Sequence, residues 1–427
     1  MTRPHVAYIT PMFGYPAFGG PRLRTYNTLR ALARCADVSL YLTQQPDTPD
    51  RARARAHLLG FCRDAVFPAP PARPPLARRL VRRVLPARWR ARLRRGAPSR
   101  QDPGPAERDP AVVDGLRAWI DLTRPDLIWL GFGGISYDLV RPLRQQARVP
   151  IVLETECVWS RFILRELPFE PDPTRRQRIL AEGAAKEAEE RSGALDVDLT
   201  TAVSEVDAAY FRSIAPSPDR VLLLSNVVDV DAYVADGTAA RLERPALVFA
   251  GTLSHGTANV DAGVWLVDEV MPSVWRTRPD VHLYLVGRSP AAAILARRGP
   301  RVHVTGEVPS IVPYFRAAAA ALVPLRWESG TRFKILEAFA CRTPVISTTL
   351  GAEGLEVEHG KHLLLADEAA AFARAILGVV DQPELGRRLV DPAFRLVREQ
   401  YDLATAERQI GRVLERLGAR PKTWSTP

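Results

Sequence analysis

The feature that most constrains this chain is an alternation: short apolar runs of strand length, separated by loops and helical patterns, recur along nearly all of it. His5-Val6-Ala7-Tyr8-Ile9-Thr10 reads as a buried strand, the Gly14–Pro21 segment as a Gly- and Pro-rich loop, Arg22–Arg34 as a helix and Val38–Leu42 as a second strand. Strand, loop, helix and strand in that order predict a parallel sheet wound on both faces by helices. The rhythm resumes at Leu127–Leu130, Ile151–Leu153, Leu199–Val203 and Val221–Leu224, with Arg175–Arg191 the clearest intervening helix. A second unit of the same kind starts near Pro245, with strands at Ala246–Ala250, His282–Val286, Val302–Val304, Ala321–Pro324 and Pro344–Ser347. Helices are expected over Val260–Trp275 and Thr331–Ala340, and a linker over Asp229–Arg244.

At 427 residues the chain is long for one hydrophobic core, which agrees with two units. Two doubly wound domains in series leave a cleft facing the carboxyl ends of their strands, where ligands bind in open α/β sheets. No stretch of about 18 or more apolar residues occurs, so no membrane-spanning helix is expected. The N-terminus runs within a few residues into a strand, unlike a secretion signal. Cys35, Cys62, Cys157 and Cys341 follow neither metal nor disulfide spacing, which suits a reducing cytoplasm.

The net charge of +11 is local: residues 51–100 hold fifteen arginines against one acid, Asp64, and the rest of the chain is close to neutral. Within this insert, residues 76–95 combine arginines with Leu76, Leu80, Val81, Val84, Leu85, Trp89 and Leu93 at 3–4 spacing. Such a segment suits peripheral contact with an anionic membrane, here the inner membrane face, or docking of an anionic or lipid-linked acceptor. A plain arginine-coded surface helix pair, broken at Pro86, fits it equally. Nucleic acid is set aside because no recognition fold surrounds the segment.

Chemistry concentrates in Pro324–Ala340. An apolar strand ends at Pro324, a loop through Glu328, Ser329 and Gly330 follows, and a helix is expected to start near Thr331. A helix start offers free backbone N–H groups and the positive end of the dipole, both suited to an anion. Arg332 and Lys334 place two cations there, where they oppose the dipole; a diphosphate would resolve the conflict, and solvated surface charges are the alternative. Glu337, on the same helix, suits two ribose hydroxyls or a pairing with Arg332 or Lys334.

The run from Gly330 to Ser347 resembles the donor-site signature of retaining glycosyltransferases of family 4, the glycosyl transferases group 1. Phe249-Ala250-Gly251-Thr252-Leu253 with Asn259-Val260-Asp261, then Leu285-Val286-Gly287, Val304–Val308 and Gly351–Leu355, are similar to successive motifs of its C-terminal domain. In the first half the likeness is looser: the Gly19-Gly20 loop, Ala202–Glu205 and Leu224–Asp229. The resemblance implies a GT-B fold, α/β with two Rossmann-like doubly wound domains and an interdomain cleft. Residues 1–235 would form the acceptor-side domain with the Arg-rich insert at about 51–100, residues 236–395 the nucleotide-sugar domain, and residues 396–420 a helix returning to the first domain. It further implies a UDP-sugar or similar donor as substrate, no cofactor, and a small-molecule, lipid-linked or glycan acceptor.

Residue by residue, the resemblance gives Arg332 and Lys334 to the diphosphate, Glu337 to the ribose, the Gly306–Val308 loop to the base, and Gly19 and Gly20 to close backbone approach. Gly251, Glu328, Ser329, Gly330 and Thr331 complete the donor side. Two departures stand out. Ser329 occupies the place of the family's second glutamate, with Glu328 one residue earlier. Glu156 stands where the family usually has a histidine near the reacting sugar; a base, an acceptor-hydroxyl anchor and a partner of Arg161 are all open for it. Candidate catalytic residues are therefore Arg332, Lys334 and Glu156. Metal ligation is not expected, although Asp196/Asp198 and Asp229/Asp231 form short D-x-D patterns. A nucleotide-sugar isomerase or hydrolase of the same fold, or a non-catalytic binding subunit, are the alternative functions.

Overall fold

The computed structural model describes residues 3–68, 110–146 and 148–419. The segment 76–95 lies outside the described residues. Two parallel sheets organise the rest. The first contains β1 (His5–Thr10), β2 (Asp37–Leu42), β3 (Asp64–Val66), β4 (Leu127–Leu130), β5 (Ile151–Glu154), β6 (Leu199–Ala202) and β7 (Val221–Leu223), in the order β3-β2-β1-β4-β5-β6-β7. The second contains β8 (Ala246–Ala250), β9 (His282–Val286), β10 (Val302–Gly306), β11 (Ala320–Val323), β12 (Val345–Ser347) and β13 (Leu364–Leu365), ordered β10-β9-β8-β11-β12-β13. The expected pair of Rossmann-like α/β domains is present. Residues 51–66 of the Arg-rich insert belong to the first of them, as the helix Arg51–Leu59 and edge strand β3.

Central strands are buried on both faces, as parallel sheets require. Along β1, Val6 and Tyr8 join one apolar cluster while Ala7 and Ile9 join another on the opposite face. The chain winds outward from β1 and from β8, then crosses back to β4 and β11. Each sheet therefore has a switch point between those neighbours, and the loops leaving the carboxyl ends there diverge to leave a crevice. The loops carrying Gly19, Gly251 and Ser329–Gly330 follow β1, β8 and β11.

Three expected elements differ in detail. The helix expected over Val260–Trp275 is two helices, Ala258–Trp265 and Met271–Thr277, joined by a wider π turn at Leu266–Val270. The expected linker contains a short helix, Val230–Ala235, capped by Asp229. The helix after β11 runs Phe333–Ala340, later than expected, because Arg332 takes an extended N-cap conformation (φ −99°, ψ 105°). At the end of the chain, Leu403–Arg416 packs Leu403, Ala406, Ile410, Val413 and Leu414 into the core of the first sheet.

Candidate functional site

Two helix starts meet across the cleft. The helix Gly20–Cys35 follows the β1 loop, the helix Phe333–Ala340 follows the β11 loop, and neither has a side-chain cap. A Cβ added at Gly20 would lie 3.2 Å from the Phe333 ring, so the two ends are in contact. Gly19 has φ 78° and ψ 151°, a backbone region essentially reserved for glycine. Two uncapped helix N-termini from two switch points concentrate backbone donors and positive dipole ends in one place.

Side chains of the second helix add to this. Lys334 Nζ donates to Asn259 Oδ1 at 2.6 Å and lies 4.8 Å from the centre of the Phe249 ring. Burial pushes its ammonium down to about 8; Arg332 lowers it further while Glu328 and Glu337 pull the other way. Gly251 makes room for this arrangement, since a Cβ there would fall 2.8 Å from Asn259 Oδ1. Glu337 is buried and accepts a hydrogen bond from the Tyr233 hydroxyl at 2.8 Å. Burial raises its carboxyl to about 7, partly offset by the Tyr233 bond and Lys334. Val308 follows β10 and packs half-buried on the second core.

Arg332 is not a solvated cation. It is 5% exposed and folds back on its own loop, donating to the carbonyls of Ser329 (2.7 Å) and Gly330, with Nε 3.1 Å from Glu328. Its Nη2 is buried without a hydrogen-bond partner, as are Ser329 Oγ and Glu156 Oε2. Leaving a buried polar group unpaired costs about 1–3 kcal/mol, so such a set favours a polar ligand. These groups share one locality. Gly330 has φ 81°, and a Cβ there would lie 2.6 Å from the Glu156 carbonyl oxygen. The structure thus brings the Glu156 backbone of the first domain against Gly330 of the second. Glu156 does not pair with Arg161, which lies 3.9 Å from Asp207. Its Oε1 accepts instead from the Trp159 indole, and burial raises its carboxyl to about 8.

Several participants carried no local signal. Tyr233 comes from the expected linker. Arg165 makes a two-pronged bond to Glu353 and also donates to the Glu328 carbonyl at 2.7 Å, tying the first domain to the Glu328–Gly330 loop. Arg288 and Arg22 share Asp47 at 3.2 and 2.6 Å. Asn226, noted only within a motif, donates through Nδ2 to Thr331 Oγ1 at 2.7 Å.

The D-x-D carboxylates have structural employment. Asp198 pairs with Arg144 and accepts from the Ile151 amide, Asp229 caps a helix and binds Arg30, and Asp231 binds Arg398. Among the described residues, Glu243, His282 and His303 group their ligand-type atoms within 4.8 Å. They do not converge on a point: His282 Nδ1 faces His303 Nε2 at 3.0 Å, while its Nε2 faces Glu243 at 3.5 Å. They form a hydrogen-bonded chain at the amino end of β9, the end opposite the cleft. No described helix is long and apolar enough to cross a membrane.

Comparison with known proteins gives the same site a lineage. Residues 244–382 match the family described as glycosyl transferases group 1. An uncharacterised 44.6 kDa protein from the cps region of Klebsiella pneumoniae is 22% identical over 153 residues, 34% of this chain and 39% of that one. TuaC of Bacillus subtilis, provisionally assigned as a teichuronic acid biosynthesis glycosyltransferase, is 28% identical over 145 residues, 33% of this chain and 36% of that one. The match thus spans under two fifths of either relative. Sucrose-phosphate synthase from Thermosynechococcus elongatus superposes with a TM-score of 0.68 at 18% identity, covering 98% of this chain and 100% of that one. Anabaena HepE, solved with UDP and glucose, gives 0.62 at 16% identity over 96% and 99%. At these identities the likeness shows the fold. Residues 244–382 form a glycosyl transferases group 1 domain, set in a chain with the GT-B fold.

Proposed function

We propose that the protein is a glycosyltransferase that moves a sugar from a nucleotide-diphosphate donor to a hydroxyl acceptor. The observation that carries this reading is the meeting of two uncapped helix starts beside Lys334, in a domain of the group 1 family. A departing nucleoside diphosphate develops negative charge, which the fixed N–H groups, Lys334 and the unpaired Nη2 of Arg332 would neutralise. This supplies the neutralisation without a metal. Glu337 would exchange part of its Tyr233 contact for ribose hydroxyls, and the Gly306–Val308 loop would meet the base. UDP is the donor nucleotide favoured here, because HepE is solved with UDP and glucose.

Retention of configuration follows in this reading from same-face attack by the acceptor hydroxyl, with no enzyme nucleophile. Glu156, whose backbone carbonyl meets Gly330 and whose Oε2 is buried without a hydrogen-bond partner, serves in this reading as base or acceptor-hydroxyl anchor. Glu328, held by Arg332, and Ser329 border the sugar end. Residues 1–235 then form the acceptor-side domain and 236–395 the donor domain, and the helix Leu403–Arg416 returns to the first. The acceptor is a glycan, a small molecule or a lipid-linked hydroxyl, the last with the protein peripheral on the inner membrane face.

The test is turnover of UDP-, GDP- and ADP-sugars, with nucleoside diphosphate release followed with and without added glycan or lipid-linked acceptors. Release that needs the acceptor is expected, and Lys334→Ala should lower it by about 10²–10³-fold. Acceptor-independent turnover to an isomerised or hydrolysed sugar would instead identify the isomerase or hydrolase alternative. Near-normal activity in Lys334→Ala would remove the site assignment.

A further inference from the structure

A buried polar chain runs from the middle of the first sheet to the donor loop. Glu154, at the carboxyl end of β5, is 1% exposed. Its carboxylate accepts from Tyr8 of β1 (3.0 Å), Trp129 of β4 (2.8 Å) and Thr28 of the first helix (3.1 Å). Arg24, one turn before Thr28, sets Nε 2.9 Å from the same carboxylate. The other side of that guanidinium donates through Nη1 to the Leu224 carbonyl (3.1 Å) and Asn226 Oδ1 (2.8 Å). Asn226 Nδ2 then donates to Thr331 Oγ1 (2.7 Å) and toward the Thr331 carbonyl (3.3 Å). Arg24, Glu154, Asn226 and Thr331 are all buried.

The chemistry gives this chain a direction. Arginine has only donors, so Asn226 must turn its oxygen to Arg24 and its NH2 group to Thr331. The amide cannot flip without facing a donor with a donor. Glu154 in turn fixes the guanidinium, because three donors from three elements hold its carboxylate and Arg24 pairs with it by charge. Thr331 immediately precedes Arg332, the N-cap of the donor helix, and its Cγ2 lies where a Cβ on Gly354 would come within 2.9 Å. Thr331 is therefore gripped from both domains. A shift of its backbone moves the uncapped N–H groups of the helix start with it.

We propose that Glu154, Arg24 and Asn226 are positioning residues that hold the Thr331–Arg332 turn, and with it the donor helix start, in its binding geometry. Its consequence for donor binding rests on the donor-site reading proposed above. The first domain then contributes to the donor site through this amide as well as through its own glycine loop.

Hydrogen exchange and UDP binding test this on the full chain. Thr331→Val removes the hydroxyl that accepts from Asn226 and keeps the shape of the side chain, so the fold is retained; Asn226→Ala removes the amide from the other side. Exchange in residues 329–336 should rise at least about tenfold in Thr331→Val while β8–β12 amides keep their protection. By calorimetry, Thr331→Val and Asn226→Ala should each weaken UDP binding about tenfold, and the double variant should be no weaker than the weaker of the two. Unchanged exchange over 329–336 overturns the relay whether or not UDP is bound. Raised exchange with unaltered UDP affinity, or additive losses in the double variant, overturns its role at the donor site. Wild-type protein that binds none of UDP, GDP and ADP fails the donor-site reading itself, while the exchange result still decides the coupling.

Discussion

The two helix starts in the cleft solve the same problem in different ways. The first-domain start at Gly19-Gly20 opens on free space at Gly19, where an added Cβ would have no neighbour within 4 Å. It is held from within its own domain, through Arg24 on the next turn and its partner Glu154 of β5. The second-domain start at Gly330–Phe333 is jammed against the other domain, with Gly330 facing the Glu156 carbonyl and Thr331 bonded to Asn226. One end is self-supported and open, as suits a loop that must admit a ligand. The other takes its geometry from its neighbour, so its shape depends on how the two domains meet.

That contrast can be broken at four points. The largest effect is expected from Arg24→Met, which leaves the buried Glu154 carboxyl without its cationic partner; loss of about 3–5 kcal/mol should appear in chemical denaturation. If the loss is under about 1 kcal/mol, the first helix start is not anchored this way. Gly330→Ala comes next, adding overlap with the Glu156 carbonyl to a positive φ. Displacing the donor loop by about an ångström should lower turnover about 100-fold, measured as nucleoside diphosphate release. Gly19→Ala has the backbone strain alone and should cost about 1–3 kcal/mol. A Gly19 loss as large as that at Gly330 would erase the difference between the two ends.

The smallest effect is in pH. Glu337 accepts two hydroxyls most strongly when ionised, and burial raises its carboxyl to about 7, so donor affinity should fall as pH drops through that value. Lys334 must be protonated to hold phosphate and sits at about 8, so affinity should also fall as pH rises through it. UDP binding should trace a bell losing up to about tenfold per pH unit outside these limbs. Glu337→Gln should flatten the acid limb alone; an unchanged acid limb in that variant would assign it to another group.

Legibility in the sequence divides along the same line. The alternation of apolar runs announced two parallel sheets, and the run from Gly330 to Ser347 marked the candidate segment, because a helix start, its cations and its carboxylate are adjacent in sequence. Arg332 is where local reading fell short. Its guanidinium curls onto carbonyls two and three residues back, which follows from the extended N-cap and not from helical spacing. The Arg24–Glu154–Asn226 chain was invisible for a different reason. Its members lie far apart in sequence, and in a chain so rich in arginine nothing local separates the one buried inside a helix from those at the surface. Tyr233 likewise hid in a stretch whose composition reads as a connector.

The returning helix Leu403–Arg416 has a consequence for how the protein is made. It covers the first helix, with Arg34 paired to Glu407 and Cys35 Sγ 3.6 Å from the Glu407 carbonyl, and it supplies five side chains to the first core. A ribosome delivers residues 3–223 of the first sheet long before it delivers that helix. During synthesis the face that Leu403–Leu414 covers therefore stays open until the whole second domain has been made. The first core is completed only by side chains that follow the second domain in sequence.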